Sequence, residues 1–254
     1  MNKLPFSKSF IANTVTTLNA VCGFISIVFA SQGEFRLASI MIIAAASFDL
    51  LDGIVARLLN TSSRFGVELD SLSDVVSFGA APAFLIYKSH MFQLGGLGIL
   101  LSSCLLVFGA LRLARFNIQV EDLNTKADFK GLPIPLSAIT ISLFVLSFFR
   151  NGIIIEPYNG MVIPLIILLS LLMVSKIRYN ALPKLRKKDI KQKIYLFGIL
   201  IVALIFAIVT NGEILFYIFI GIVLFGIIRK IYYLIFNIKE ENGNGSKVTE
   251  NQSV

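Results

Sequence analysis

Charge is scarce in this sequence. Asp, Glu, Lys and Arg make up 15% of its 254 residues, against about a quarter in a globular protein, while 56% are hydrophobic and the mean hydropathy is +0.81. So few charges cannot cover a water-soluble domain of this length, and lipid must solvate much of the outside. Cysteine is nearly missing: Cys22 and Cys104 both fall inside apolar runs, which argues against a disulfide framework or a thiolate metal site and reads them as small packing residues. Histidine occurs once, as His90, and no serine-nucleophile motif is built around it; there is no HExxH pair and no EF-hand loop. The N-terminus carries no cleavage-site pattern, so its first apolar run is expected to stay as a spanning helix.

What is present is a series of apolar runs separated by short polar turns, the pattern of an all-α, polytopic membrane bundle of about eight spans. Residues 1–10 are short, basic and amphipathic and are expected at the membrane surface. Helices are predicted at about 11–30, 37–59, 67–87, 94–117, 136–149, 161–174, 194–210 and 214–236. A basic loop at 177–193 separates the first six, within 11–176, from two further C-terminal spans within 194–236. The tail at 237–254 is polar, glycine-rich and expected to be disordered. The net charge of +8 comes from bases in short clusters between apolar spans, which excludes a nucleic-acid partner and suits attraction to membrane lipids. With both termini cytoplasmic, 20 of the 23 Lys and Arg lie inside, and only Arg36, Lys88 and Arg150 outside, the imbalance expected of a multi-pass protein.

The acidic residues gather where that topology puts the cytoplasmic side. Asp49 and Asp52 stand three apart near the end of the second helix, and Asp70 and Asp74 four apart in the first turns of the third. Each pair shares a helix face. The short connection NTSSRFG makes the helices antiparallel neighbours and sets the pairs opposite one another. An ionised Asp inside a membrane helix costs about 2.5 to 3.5 kcal/mol at the centre, so four need compensation. Arg57 and Arg64 are too few, and Arg57 is off the face of Asp52. A hard divalent cation suits an all-oxygen site, and four carboxylates could bridge two; a proton relay or pairing with buried arginines is the competing account. Gly53, Ala56 and Gly66 are small enough to let a bulky group approach the backbone, although helix packing would also use them. His90, sixteen residues beyond Asp74, lies about 24 Å away along a helix and cannot serve as base there. Metal-assisted attack on phosphorus with an aspartate as proton acceptor is the chemistry left. On the first helix Asn13, Thr16 and Asn19 recur on one face near the same end, either bonding to neighbouring helices or lining a polar cavity.

The spacing Asp49-x2-Asp52-Gly53-x2-Ala56-Arg57-x8-Gly66-x3-Asp70-x3-Asp74 resembles the signature of the CDP-alcohol phosphatidyltransferases in every position. The resemblance implies transfer of a phosphatidyl group from a CDP-activated lipid to an alcohol, with CMP as product. It implies two divalent ions, Mg²⁺ or Mn²⁺, held by Asp49, Asp52, Asp70 and Asp74, with Asp74 also the general base. Gly53, Ala56, Arg57 and Gly66 would surround the cytidine and diphosphate, with Asp52 and Thr16 also on the CDP-lipid side. A six-helix catalytic core in a homodimer follows by the same resemblance, the last two helices being an extension.

Three further stretches resemble the membrane-embedded, serine-accepting branch of that family: Asn13 to Gly23, FGALRLARFN ending at Asn117 with the FKGLPIP that follows, and MVSKIRY from Met173. Ala12 stands where that branch has proline, which affects helix entry. L-serine is the acceptor so implied, with Asn13, Asn19, Arg112, Arg115 and Lys130 around it. Arg112 and Arg115 share a helix face, and guanidinium suits a carboxylate, although headgroup anchoring would also use these bases. Glycerol 3-phosphate and inositol phosphate are alternative acceptors that need a second phosphate pocket. An ion or metal transporter would need acids continuing towards the outer face, and spans two and three have almost none.

Overall fold

The structure, a computed structural model, describes residues 8–59, 63–121, 131–177, 179 and 212–236. Among them the chain is helical apart from one two-residue hairpin. Helix α1 spans Lys8–Ser31 and α2 Phe35–Leu59. They form an antiparallel pair closed by a turn in which Gly33 takes φ +84°, and the Ser26 hydroxyl donates across it to the Ala38 carbonyl at 2.8 Å. Helix α3 runs through Arg64–Ser89; Ser63 caps its start by accepting from the Gly66 amide at 3.0 Å. Helix α4 covers Gly96–Glu121, α5 Ile134–Phe148, α6 Val162–Val174 and α7 Glu213–Ile235.

Five helices, α1 to α4 and α7, are long and apolar enough to cross a membrane. Their outward faces carry bare apolar side chains, among them Phe24, Leu100, Leu111, Phe225 and Ile228, a surface that water would not tolerate and lipid does. The protein is an all-α, polytopic membrane protein. Helix α5 is the exception in exposure: it shows no exposed residue, and its Ile141, Phe144 and Phe148 are core. Its Thr140, Ser142 and Ser147 return their hydroxyls to carbonyls one turn back at 2.6–2.9 Å, so the polar groups of this buried helix are satisfied locally. At 15 residues α5 covers about 22 Å, short of a hydrocarbon core of about 30 Å.

Two features differ from the sequence expectation. The turn beyond α5 is a hairpin, with Phe149 opposite Ile154 and Arg150 opposite Ile153; Asn151 and Gly152 both take positive φ, 52° and 88°, as a two-residue hairpin turn requires. The third span is also not uniform: Val75–Ala80 is π-helical, with the Ala81 amide reaching back to the Val76 carbonyl. Pro82 has no amide to give the Phe78 carbonyl and crowds it, and the widened turn before it absorbs the misfit. The expected seventh helix at 194–210, most of the basic loop and the tail at 237–254 lie outside the described residues.

Candidate active site

Alternating direction brings the start of α1, the end of α2, the start of α3 and the end of α4 to one end of the bundle. Every candidate residue inside the described segments is on one of these four pieces. From α2 and α3, Asp49, Asp70 and Asp74 converge so that one carboxylate oxygen from each lies within 4.8 Å of the others. Asp74 is buried, and so is Asp52. Asp52 stands near enough to interact electrostatically with Asp49 and Asp74, yet outside the tight trio. The four expected ligands therefore resolve into three convergent carboxylates and a neighbour.

Helix α1 divides its polar face between two tasks. The Asn19 amide Nδ2 donates to Asp74 Oδ1 at 3.2 Å, and the Asn19 backbone carbonyl accepts from the Ser77 hydroxyl at 2.8 Å. Asn13 lies beside Gly66, where a Cβ would meet its Oδ1 at 3.5 Å and Ser63 Oγ at 3.2 Å. Thr16 is buried between them in sequence. The approach of α1 to α3 needs Gly23, since a Cβ there would lie 2.4 Å from Ser77 Oγ. Ser77 sits in the π-helical turn, so the irregularity beyond Asp74 is also what seats Asn19.

Helix α4 supplies cations. Arg112 is partly buried and interacts electrostatically with Asp74. Arg115 is exposed, and its Nη1 donates to the Val174 carbonyl at the end of α6, at 3.4 Å. The two arginines thus have different neighbours despite their shared helix face. Asn117, two residues beyond Arg115, pairs with Ser71: its Nδ2 donates to Ser71 Oγ at 3.0 Å, and that hydroxyl lies 3.3 Å from Asn117 Oδ1. Ser71 was not singled out by sequence reasoning, although its place between Asp70 and Asp74 was a signal. Gly53 is on α2 beside Asp52; the side chains of Ala56 and Arg57, and Lys130 altogether, lie outside the described residues. His90 follows the far end of α3, where burial lowers its imidazole below the ordinary value.

Buried polar atoms of this cluster without a hydrogen-bond partner include Asn19 Oδ1, Asp70 Oδ1 and Arg112 Nε. Each costs about 1–3 kcal/mol if left so, and together they offer two acceptors and a donor around Asp74. Three close carboxylates repel one another, and their oxygen-only donor set fits a hard divalent cation.

The comparisons with known proteins bear directly on this arrangement. The family model described as CDP-alcohol phosphatidyltransferase matches residues 9–172. The chain belongs to that family. It is an integral-membrane transferase, and the matched region contains the aspartate cluster just described. Among curated relatives, a Helicobacter pylori (strain J99) protein named CDP-diacylglycerol–serine O-phosphatidyltransferase is 37% identical over 224 residues, 88% of this chain and 92% of the relative. A protein of the same name from Bacillus subtilis (strain 168) is 36% identical over 171 residues, covering 67% of this chain and 90% of the relative. An archaetidylserine synthase from Methanothermobacter thermautotrophicus is 39% identical over 175 residues, 67% of this chain and 70% of the relative.

Proposed function

We propose that this protein transfers the phosphatidyl group of a CDP-diacylglycerol-type lipid to the hydroxyl of L-serine, giving phosphatidylserine and CMP. The observation that carries the reading is the placement of Arg112 and Asn19 next to Asp74, each with an unpartnered buried polar atom. An amino-acid acceptor has the complementary groups. Its carboxylate meets the Arg112 guanidinium, its ammonium meets Asn19 Oδ1, and its hydroxyl then faces the Asp74 carboxylate. The names of the serine-accepting relatives support the same acceptor.

In this reading Asp74 takes the serine hydroxyl proton as the oxygen attacks the lipid-side phosphorus, and the bond from that phosphorus to the CMP oxygen breaks. Asn19 keeps Asp74 oriented by donating to its Oδ1. Asp49, Asp70 and Asp74, with Asp52 beside them, would hold two divalent ions, Mg²⁺ or Mn²⁺, which when bound neutralise the diphosphate and polarise the phosphorus. Gly53, Ala56, Arg57, Gly66, Asp52 and Thr16 form the CDP-lipid side, and Lys130, Arg115 and Asn13 complete the acceptor side. Exposed Phe65 and Leu72 on α3 give the acyl chains an apolar surface next to the polar site. The distribution of Lys and Arg supports an active site and both termini on the cytoplasmic side, and the family supports a homodimer.

The deciding experiment is CMP release by the purified protein in detergent with CDP-diacylglycerol and Mg²⁺ or Mn²⁺, comparing L-serine with glycerol 3-phosphate and inositol phosphate. Serine-dependent release is expected. Release with a phospho-alcohol and not with serine would sink the acceptor assignment and leave the aspartate chemistry standing.

A further inference from the structure

Helix α7 lies beyond the matched family region, and the way it is fastened to the rest gives it a use. Tyr179 closes the MVSKIRY stretch. It is buried, its hydroxyl donates to the Val223 carbonyl within α7 at 3.1 Å, and its ring fills the space beside Gly226, where a Cβ would lie 2.2 Å from Tyr179 Cε1. Any side chain at 226 must push the ring out. Burial holds the phenol up at about 12, so it remains a donor across the physiological range.

The residues just before Tyr179 are bonded to the acceptor side of the site. The Ile177 carbonyl accepts from the Gly131 amide at 2.8 Å, and the Leu172 carbonyl from the Leu132 amide at 2.9 Å. The Val174 carbonyl accepts from Arg115. Gly131 takes φ +88° with a Cβ position 2.2 Å from the Met173 carbonyl oxygen, so only glycine seats this strap. Three stretches far apart in sequence thus meet in one joint, one helical turn from Arg112. At its N-terminal end α7 is held against α5: Phe216 packs on Phe144 and Phe148 at ring distances of 5.5 and 5.2 Å, and the Tyr217 and Tyr158 hydroxyls lie 2.8 Å apart. A helix fixed at its far end and socketed at Tyr179 can set the position of what Tyr179 carries.

We infer that Tyr179, seated against Gly226, is a positioning residue through which α7 sets the 131–132 and 172–177 segments against the arginine end of α4, and so sets affinity for the acceptor. The inference rests on the acceptor reading given under Proposed function. Tyr179 touches no reacting atom in this scheme; it acts through the joint.

The test is steady-state CMP release by the full chain in detergent, with L-serine and CDP-diacylglycerol varied independently, for Gly226→Leu, Tyr179→Phe, Tyr179→Ala, the double Gly226→Leu/Tyr179→Ala, and Arg112→Gln. Gly226→Leu is expected to raise the serine KM about tenfold while the CDP-diacylglycerol KM and kcat stay within about twofold. The double variant is expected to be no worse than Tyr179→Ala alone, because the ring that the leucine strikes is gone. A normal serine KM in Gly226→Leu, or equal damage to both substrates with additive single effects, overturns the inference. Should Gly226→Leu fail to fold, Tyr179→Phe decides: a raised serine KM supports the coupling and an unchanged one overturns it. Arg112→Gln separates the two levels. If it raises the serine KM and the Tyr179 and Gly226 variants do not, the coupling alone fails; if it leaves the serine KM unchanged, the acceptor reading fails and the coupling falls with it.

Discussion

The Asn19 side chain donates to Asp74 Oδ1 at 3.2 Å, joining residues 55 positions apart on two different helices. The bond uses one N–H of the side-chain amide and leaves Oδ1 buried and unpartnered. Asn19 therefore has one group for the base and one for a ligand.

The two halves of that relationship separate in mutants. Asp74→Asn removes the proton acceptor and is expected to lower turnover by about 10²–10⁴-fold, the usual weight of general base catalysis, with CDP-lipid binding largely kept. Asn19→Leu leaves the carboxylate but frees it to rotate and removes the ligand acceptor, so both kcat and the serine KM should worsen. CMP release measured beside CDP-lipid binding distinguishes them. Near-normal turnover in Asp74→Asn would remove Asp74 from the role of base.

Much of this site is legible in the sequence because membrane placement makes polar groups conspicuous. Asp49, Asp52, Asp70 and Asp74 stand out because an acid in an apolar helix needs a partner, and their three- and four-residue spacings say which face each pair shares. Asn13 and Asn19 stand out for the same reason, yet their spacing could not divide them between Gly66 and Asp74. Asn151 and Gly152 announce a turn, but not the hairpin built on it. What was not legible depends on contacts between distant segments. The π-helical turn at Val75–Ala80, the seat of Ser77 against Gly23, the Ser71–Asn117 pair and the turning of Arg115 towards Val174 each arise from how two helices approach. Helical periodicity does not encode that distance.

The contact of Gly23 with Ser77 makes a stability prediction. Gly23→Val puts bulk where even a Cβ would lie 2.4 Å from Ser77 Oγ, and overpacking of this kind costs about 1–3 kcal/mol. The detergent melting midpoint should fall and activity with it, because Asn19 is carried one helical turn away. Ser77→Ala loses the bond to the Asn19 carbonyl but creates no overlap, so its midpoint should fall by less. Equal midpoints for Gly23→Val and the parent protein would mean that α1 and α3 are not in close contact in detergent.

The convergent carboxylates predict metal dependence with a definite order among the acids. EDTA should abolish CMP release, and Mg²⁺ or Mn²⁺ should restore it. Asp70→Asn keeps the shape and removes one charge from the trio, so the metal concentration for half-maximal activity should rise by about tenfold or more. Asp52 stands outside the 4.8 Å cluster, which comprises Asp49, Asp70 and Asp74; Asp52→Asn should therefore shift that concentration less. A larger shift for Asp52→Asn than for Asp70→Asn would reverse the assignment of neighbour and ligand.

Arg112 and Arg115 give the sharpest contrast, because spacing made them alike and their surroundings make them different. Arg112 is partly buried beside Asp74 with an unpartnered Nε, so a carboxylate arriving there gains a charge-assisted bond in a site shielded from water. Lysine keeps the charge but not the planar fork. Arg112→Lys should thus raise the serine KM by about tenfold, the equivalent of about 1.4 kcal/mol. Arg115 is exposed and spends one donor on the Val174 carbonyl in a long bond of 3.4 Å that water competes for. Arg115→Lys should change the serine KM by less than about threefold. Measuring both variants at saturating CDP-diacylglycerol checks the contrast: equal increases would mean that both arginines grip the acceptor and that the Val174 contact gives way when serine binds.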